Sequence, residues 1–238
     1  MNVLITGTSS GLGDGLARYM ASRKHRVAGI SRRENKRLKS CKDYTHYALD
    51  LADFDQVREQ LPKILQSHAP LDLVVLNAGV LGEIADMHKT SLDELKRVMD
   101  INLWSNKLIL DLIINTDTDV KQVVGISSGA AVNGHRGWNA YAISKAALNM
   151  MIQLYAQEMP GTHISALAPG LVDTSMQSYL TGLPEDDRFP SLERLKSARG
   201  TDDMPRPLDL APNLLDAMDK LYKDYPSGTF ADIRSMDA

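Results

Sequence analysis

At 238 residues, with 43% hydrophobic content and a formal net charge of −3, the chain suits one large α/β domain. It has no basic tail or stripe for nucleic acid or an anionic membrane, and no apolar run nears the roughly 18 residues of a membrane span. A lone cysteine, Cys41, excludes a disulfide framework and a cysteine zinc site, and the six scattered histidines lack metal-ligand spacing, so no metal is expected.

Residues 2–6 read as a strand rather than a signal peptide, which with the single cysteine predicts a cytoplasmic protein. The strand runs into Thr6-Gly7-Thr8-Ser9-Ser10-Gly11-Leu12-Gly13, and a helical pattern follows. Strand, glycine turn and helix together form the context in which such a motif binds a dinucleotide. The glycines let a pyrophosphate approach the backbone, and the helix N-terminus offers it free N–H groups and a positive dipole end. Residues 25–30 read as the second strand, ending in Ser31-Arg32-Arg33. An acidic residue here would accept from the adenosine ribose and select NAD. Two arginines instead suit a 2′-phosphate and predict NADP.

A third strand at 45–49 ends in Asp50-Leu51; Asp50 either meets the adenine edge or caps the helix starting near Asp53. That helix contains Pro62, so a kink or break is expected. Residues 71–76 form a continuous apolar run, typical of a parallel strand covered on both faces, and end in Asn77-Ala78-Gly79 where a cofactor would lie. Residues 91–115 open on a capping box, Ser91-x-x-Glu94, and are apolar almost all round. One side should cover the sheet and another a partner subunit. Asn102, polar within this stretch, is either a structural hydrogen-bond node or part of a proton relay.

The fifth strand, 120–126, ends in Ser127-Ser128-Gly129. The next helix carries Tyr141-Ala-Ile-Ser-Lys145, whose tyrosine and lysine share one helix face. An ammonium beside a phenol favours phenolate, so a lowered Tyr141 pKa and a general acid/base role are expected. This helix, 139–159, is again apolar on most faces, and with 91–115 it suggests a homodimer or homotetramer built from helix pairs. The sixth strand, 164–168, ends in Pro169-Gly170, followed by Leu171-Val172-Asp173-Thr174. Residues 175–206 are polar with little periodicity and read as a substrate loop or lid. A helix at 208–222 and a short strand at 229–232 close the fold. The G-x-S-x-G elbow of a Ser–His–acid hydrolase is absent.

These motifs, in this order, resemble the short-chain dehydrogenase/reductase family: Thr6-Gly7-x-x-x-Gly11-x-Gly13, Asn77-Ala78-Gly79, Asn102, Ser128 thirteen residues before Tyr141, Tyr141-x-x-x-Lys145, and Pro169-Gly170 with Thr174. The resemblance covers nearly the whole chain. It implies one Rossmann-type catalytic domain over 1–238, a doubly wound parallel sheet of order 3-2-1-4-5-6-7, and an NAD(P)-dependent oxidoreductase acting on CH–OH/C=O. In the family's chemistry Tyr141 donates the proton, Lys145 lowers its pKa and holds the nicotinamide ribose, Ser128 polarises the carbonyl, and Asn102 helps hold a relay water. Cofactor contacts are then implied at Gly7, Ser9, Ser10, Gly11, Leu12, Gly13, Ser31, Arg32, Arg33, Asp50, Leu51, Asn77, Ala78, Gly79, Pro169, Gly170, Val172 and Thr174, besides Tyr141 and Lys145.

A narrower resemblance lies in Gly137-Trp138, the run from Pro169 to Gln177, and the ending Ser227-Gly228-Thr229-Phe230-Ala231-Asp232. These segments look like sepiapterin reductases and bacterial benzil reductases. It implies reduction of a vicinal dicarbonyl or a pterin side-chain ketone, with Ser128, Trp138, Tyr141, Gln177 and Asp232 facing substrate. Asp232 is either a pterin anchor or an exposed strand-end residue. Alternatives are a 3-oxoacyl carrier-protein reductase, which the acidic Pro184-Glu185-Asp186-Asp187 segment disfavours, and an NADP-sensing regulator without turnover, which the complete Asn-Ser-Tyr-Lys set disfavours.

Overall fold

The computed structural model describes residues 1–236. Seven parallel strands form one sheet in the order β3-β2-β1-β4-β5-β6-β7, as expected. They are β1 (Asn2–Thr6), β2 (Arg26–Ser31), β3 (Tyr44–Ala48), β4 (Leu73–Leu76), β5 (Gln122–Ile126), β6 (His163–Ala168) and β7 (Phe230–Asp232). Parallel strands need crossover connections, and helices supply them on both faces. The helices are α1 (Gly11–Ser22), α2 (Phe54–His68), α3 (Leu92–Met99), α4 (Ser105–Asn115), α5 (Asn139–Glu158), α6 (Ser175–Thr181), α7 (Pro190–Ala198) and α8 (Pro207–Asp224).

Alternation along the strands divides the core in two. Leu4, Val74 and Val123 pack with α2, α4 and α5, whereas Val3, Ile5, Val75 and Val124 pack with α1 and α8. Because all seven strands run parallel, every strand presents its carboxyl end to the same edge. The motif-bearing turns after β1, β2, β4, β5 and β6 therefore converge there, although they are far apart in sequence.

Four local readings are corrected. Helix α2 runs unbroken through Pro62: Val57, Leu61, Ile64 and Leu65 are buried on one face, and that burial outweighs one lost backbone bond. The 91–115 stretch is not one helix, because a π-helical turn, Asp100–Trp104, separates α3 from α4. Ser91 caps α3 by accepting from Glu94 N at 3.1 Å, but the box is not reciprocal, because the Glu94 carboxylate accepts from Arg97 and from Glu83 N instead. Residues 175–206 are not structureless: α6 and α7 bury Leu180, Leu192 and Leu195 with Phe189 and Leu81 in a small third core.

Candidate active site

A cleft of about 320 Å³ lies along the carboxyl edge of the sheet. Its lining brings together Gly7, Ser9, Ser10, Gly11 and Leu12 after β1, and Ser31, Arg32 and Arg33 after β2. Asp50 and Leu51 after β3, Asn77, Ala78 and Gly79 after β4, and Tyr141 and Lys145 from α5 join them. Pro169, Gly170, Val172, Thr174 and Gln177 complete the wall. Of the residues singled out in the sequence, Gly13, Asn102, Ser128, Trp138 and Asp232 lie outside this lining.

The phosphate-binding end is built by close backbone approach. Gly7 adopts φ +78°, and a Cβ there would stand 2.9 Å from the Ala78 Cα. Gly13 acts from behind: a side chain would strike the Gly7 carbonyl, so this glycine serves helix–strand packing rather than contact. The Thr6 hydroxyl accepts from Asn77 N and Ala78 N, both at 2.9 Å, and Asn77 Nδ2 donates to Thr6 O at 2.8 Å. The Asn-Ala-Gly turn thus clamps the glycine turn. Ser10 is the N-cap of α1 but makes no side-chain cap bond, which leaves first-turn N–H groups for an anion. Thr174 sits across the opening, with its Cγ2 3.5 Å from where a Gly11 Cβ would be. Gln177 Oε1 is buried without a protein partner. Glycine contacts, uncapped helix start and orphaned amide fit a dinucleotide.

The adenosine end carries Arg32 and Arg33, both exposed and, among the described residues, free of salt bridges. Asp50 does not cap α2. Its Oδ1 accepts from Ala52 N at 3.1 Å, and Asp53 is the cap, accepting from Gln56 N at 3.0 Å.

At the other end Tyr141 and Lys145 share the α5 face, with Nζ 5.7 Å from the phenol ring centroid. The expected effect on the phenol is reversed. Burial pushes the Tyr141 phenol up, and only a hydrogen bond from Ser128 draws it back. Burial also pushes Lys145 down to about 8. Both shifts have one cause, the cost of charge in a low-dielectric pocket. Nζ is held instead by the Ile126 carbonyl at 2.6 Å. Ser128 accepts from Ala130 N at 3.1 Å and joins the site through the Tyr141 phenol rather than the cleft wall.

Asn102 is fully buried within the π-helical turn. Its Oδ1 accepts from Val80 N at 2.8 Å, and Nδ2 donates to Val80 O at 2.8 Å and Ser144 Oγ at 2.9 Å. Ser144 in turn donates to Tyr141 O at 2.7 Å. Both N–H donors and one Oδ1 lone pair are used, so it acts as a hydrogen-bond node tying the β4 exit to the start of α5. Its own carbonyl accepts from Asn106 Nδ2 at 2.8 Å.

Trp138 donates from Nε1 to Ser191 Oγ at 2.8 Å and lies 6.1 Å, centroid to centroid, from Tyr141. It links the catalytic helix to the 175–206 segment. The Asp232 carboxylate is engaged by Arg234, with Nη2 to Oδ2 at 2.6 Å and Nε to Oδ1 at 2.9 Å.

Some residues of the site escaped sequence reasoning. Asp86, buried just before a 3₁₀ turn, takes Arg136 Nε at 2.6 Å and Arg188 Nη1 at 3.1 Å, while Arg188 also pairs with Asp186 at 2.6 Å. Hydrogen bonding to Arg136 holds the Asp86 carboxyl below its usual range. This cluster staples the 175–206 segment to the loop before α5. Asn149, one turn beyond Lys145, accepts from the Ser127 hydroxyl at 2.6 Å and fixes the end of β5. No local pattern marks the long-range pairs, which are 22 to 102 residues apart. Among the described residues no acidic, histidine or cysteine cluster could hold a metal, and no helix is long and apolar enough to cross a membrane.

Comparison with known proteins agrees with this geometry. A family model described as short chain dehydrogenase matches residues 1–182. The chain is 32% identical over 230 residues to a benzil reductase ((S)-benzoin forming) of Bacillus subtilis, covering 91% of this chain and 93% of that one. It is 30% identical over 189 residues to an NADPH-dependent pterin aldehyde reductase of Arabidopsis thaliana, covering 76% and 78%. The crystal structure of the KRED1-Pglu enzyme superposes with a TM-score of 0.83 at 24% identity, over 97% of this chain and 100% of that one.

Proposed function

The chain belongs to the short-chain dehydrogenase family, and on that footing we propose that it is an NADPH-dependent carbonyl reductase acting on a vicinal dicarbonyl or a pterin side-chain ketone. The observation that carries this reading is the pairing of Tyr141 and Lys145 in the cleft wall, with Ser128 hydrogen-bonded to the Tyr141 phenol. The named activities of the Bacillus and Arabidopsis relatives support the substrate class.

NADPH, held by the glycine turn, Arg32, Arg33 and Thr174, would supply hydride to the carbonyl carbon and leave as NADP⁺. The chain's own residues position the ketone and deliver the proton. Ser128 donates a hydrogen bond to the carbonyl oxygen and steadies the developing negative charge. Tyr141, whose phenol is protonated at neutral pH in this site, gives its proton to that oxygen. Lys145 is positioned beneath the phenol by the Ile126 carbonyl; its ammonium stabilises the phenolate that results. Asn102 is a positioning residue, holding the helix start that carries Tyr141.

The exposed apolar residues on α4 and α5, namely Ile114, Ile143, Met150 and Leu154, support a homodimer or homotetramer through these helices. We assign the protein to the cytoplasm because its one cysteine, Cys41, is a free thiol, which suits a reducing compartment.

The test is NADPH oxidation against benzil, an aliphatic 1,2-diketone, sepiapterin and an acetoacetyl thioester. Turnover of benzil or sepiapterin should fall by about 10²–10⁴ in Tyr141→Phe, while NADPH binding persists. Activity only on the thioester, or turnover indifferent to Tyr141→Phe, would refute the reading.

A further inference from the structure

The edge of the site beside Ser128 carries a guanidinium that the reaction so far leaves unused. β7 lies parallel to β6 with Asp232 in register with Ala168, immediately before Pro169-Gly170. A 3₁₀ turn, Ile233–Ser235, then sends Arg234 back across the carboxyl edge of the sheet. Its stem lies on Gly170, where a Cβ would stand 3.5 Å from Arg234 Cδ. Its Nη2 is 3.4 Å from the position of a Gly129 Cβ, and Gly129 follows Ser128 directly. The side chain therefore bridges the loop that follows Ser128 and the Pro169-Gly170 turn that lines the cleft, and both carry glycine where it passes.

The neighbouring carboxylate is already engaged through both oxygens. Asp232 Oδ1 accepts from Arg234 N at 3.0 Å and Nε at 2.9 Å, and Oδ2 accepts from Nη2 at 2.6 Å. A substrate with paired N–H donors would have to break this fork before Asp232 could receive it. What the pair offers is donors, because the Arg234 side chain is 50% exposed and that of Asp232 only 19%. Among the described residues, Arg234 Nη1 makes no hydrogen bond. A fixed guanidinium with spare N–H groups suits an oxygen acceptor.

We propose that Arg234 determines substrate class: it donates to a second oxygen adjacent to the reacting carbonyl, so 1,2-dicarbonyls are preferred over simple ketones. The proposal rests on the carbonyl-reductase reading and narrows it.

A matched pair of substrates isolates the second oxygen: benzil, and deoxybenzoin, in which one benzil carbonyl is a methylene. The variant is Arg234→Met combined with Asp232→Asn, which avoids stranding a carboxylate; fluorescence titration with NADPH checks that the cofactor site is intact. Benzil kcat/KM should fall about tenfold or more, the effect of one lost charge-assisted hydrogen bond, while deoxybenzoin stays within about twofold. Arg234→Lys, which keeps a cation beside Asp232 but loses the fork, should show a smaller fall on benzil alone. Should the double variant not fold, the lysine variant decides by the same criterion. Equal losses on both ketones, or no loss on benzil, would overturn the role of Arg234 and leave the reductase reading standing. An unaltered enzyme that reduces neither ketone would overturn both.

Discussion

Replacing Asn102 by alanine separates a structural node from a relay residue. The side chain is fully buried and makes three hydrogen bonds, two to Val80 and one to Ser144. Each contributes about 1 kcal/mol net. Val80 is half-buried, so water can replace part of what its backbone loses, whereas Ser144 is fully buried and cannot be resolvated as easily. The sum is about 3 kcal/mol, before any cavity cost. For a domain of this size about 2–4 °C is lost per kcal/mol, so the melting temperature should drop by roughly 6–12 °C. Thermal unfolding followed by circular dichroism, with and without NADPH, measures this directly. Activity should fall too, because Val80 lines the cleft and Ser144 is bonded to the Tyr141 carbonyl. A variant that melts within about 1 °C of the parent yet has lost turnover would refute the node and restore a purely chemical role.

Two further outcomes follow from the site. Lys145 has its folded-state pKa pushed down to about 8 from the usual 10.5 by burial, so between those values the unfolded chain binds the proton and the folded chain does not. Stability relative to a Lys145→Met variant should therefore rise as pH goes from about 8 to 10.5 and be flat below that window; a difference in melting temperature that is constant across it would contradict the burial argument. Arg32→Ala should weaken NADPH binding by about tenfold or more and NADH binding far less, because the lost partner is a phosphate. Equal losses for the two cofactors, read by fluorescence titration, would remove Arg32 from the 2′-phosphate site.

The sequence by itself determined the order and kind of the main elements, and most of the cleft. Strand ends followed by Gly7-to-Gly13, Ser31-Arg32-Arg33, Asn77-Ala78-Gly79 and Pro169-Gly170 are local signals. Once a parallel sheet is granted, its topology gathers them at one edge. Tyr141 and Lys145 were legible for the same reason, as they are one helical turn apart.

What only the tertiary structure decided depends on distance along the chain. Pro62 did not break α2, because burial against the sheet outweighed a local preference. The π-helical turn that places Asn102 has no signature in composition. Asp86 meets Arg136 and Arg188 from 50 and 102 residues away. The protonation tendencies of Tyr141 and Lys145 came out opposite to the pairwise expectation, because desolvation belongs to the whole pocket rather than to two neighbouring side chains. Asp232 could be read as a free acceptor in sequence, but the turn after β7 folds Arg234 onto it. Backbone geometry alone converts that corner of the site from a carboxylate into a guanidinium.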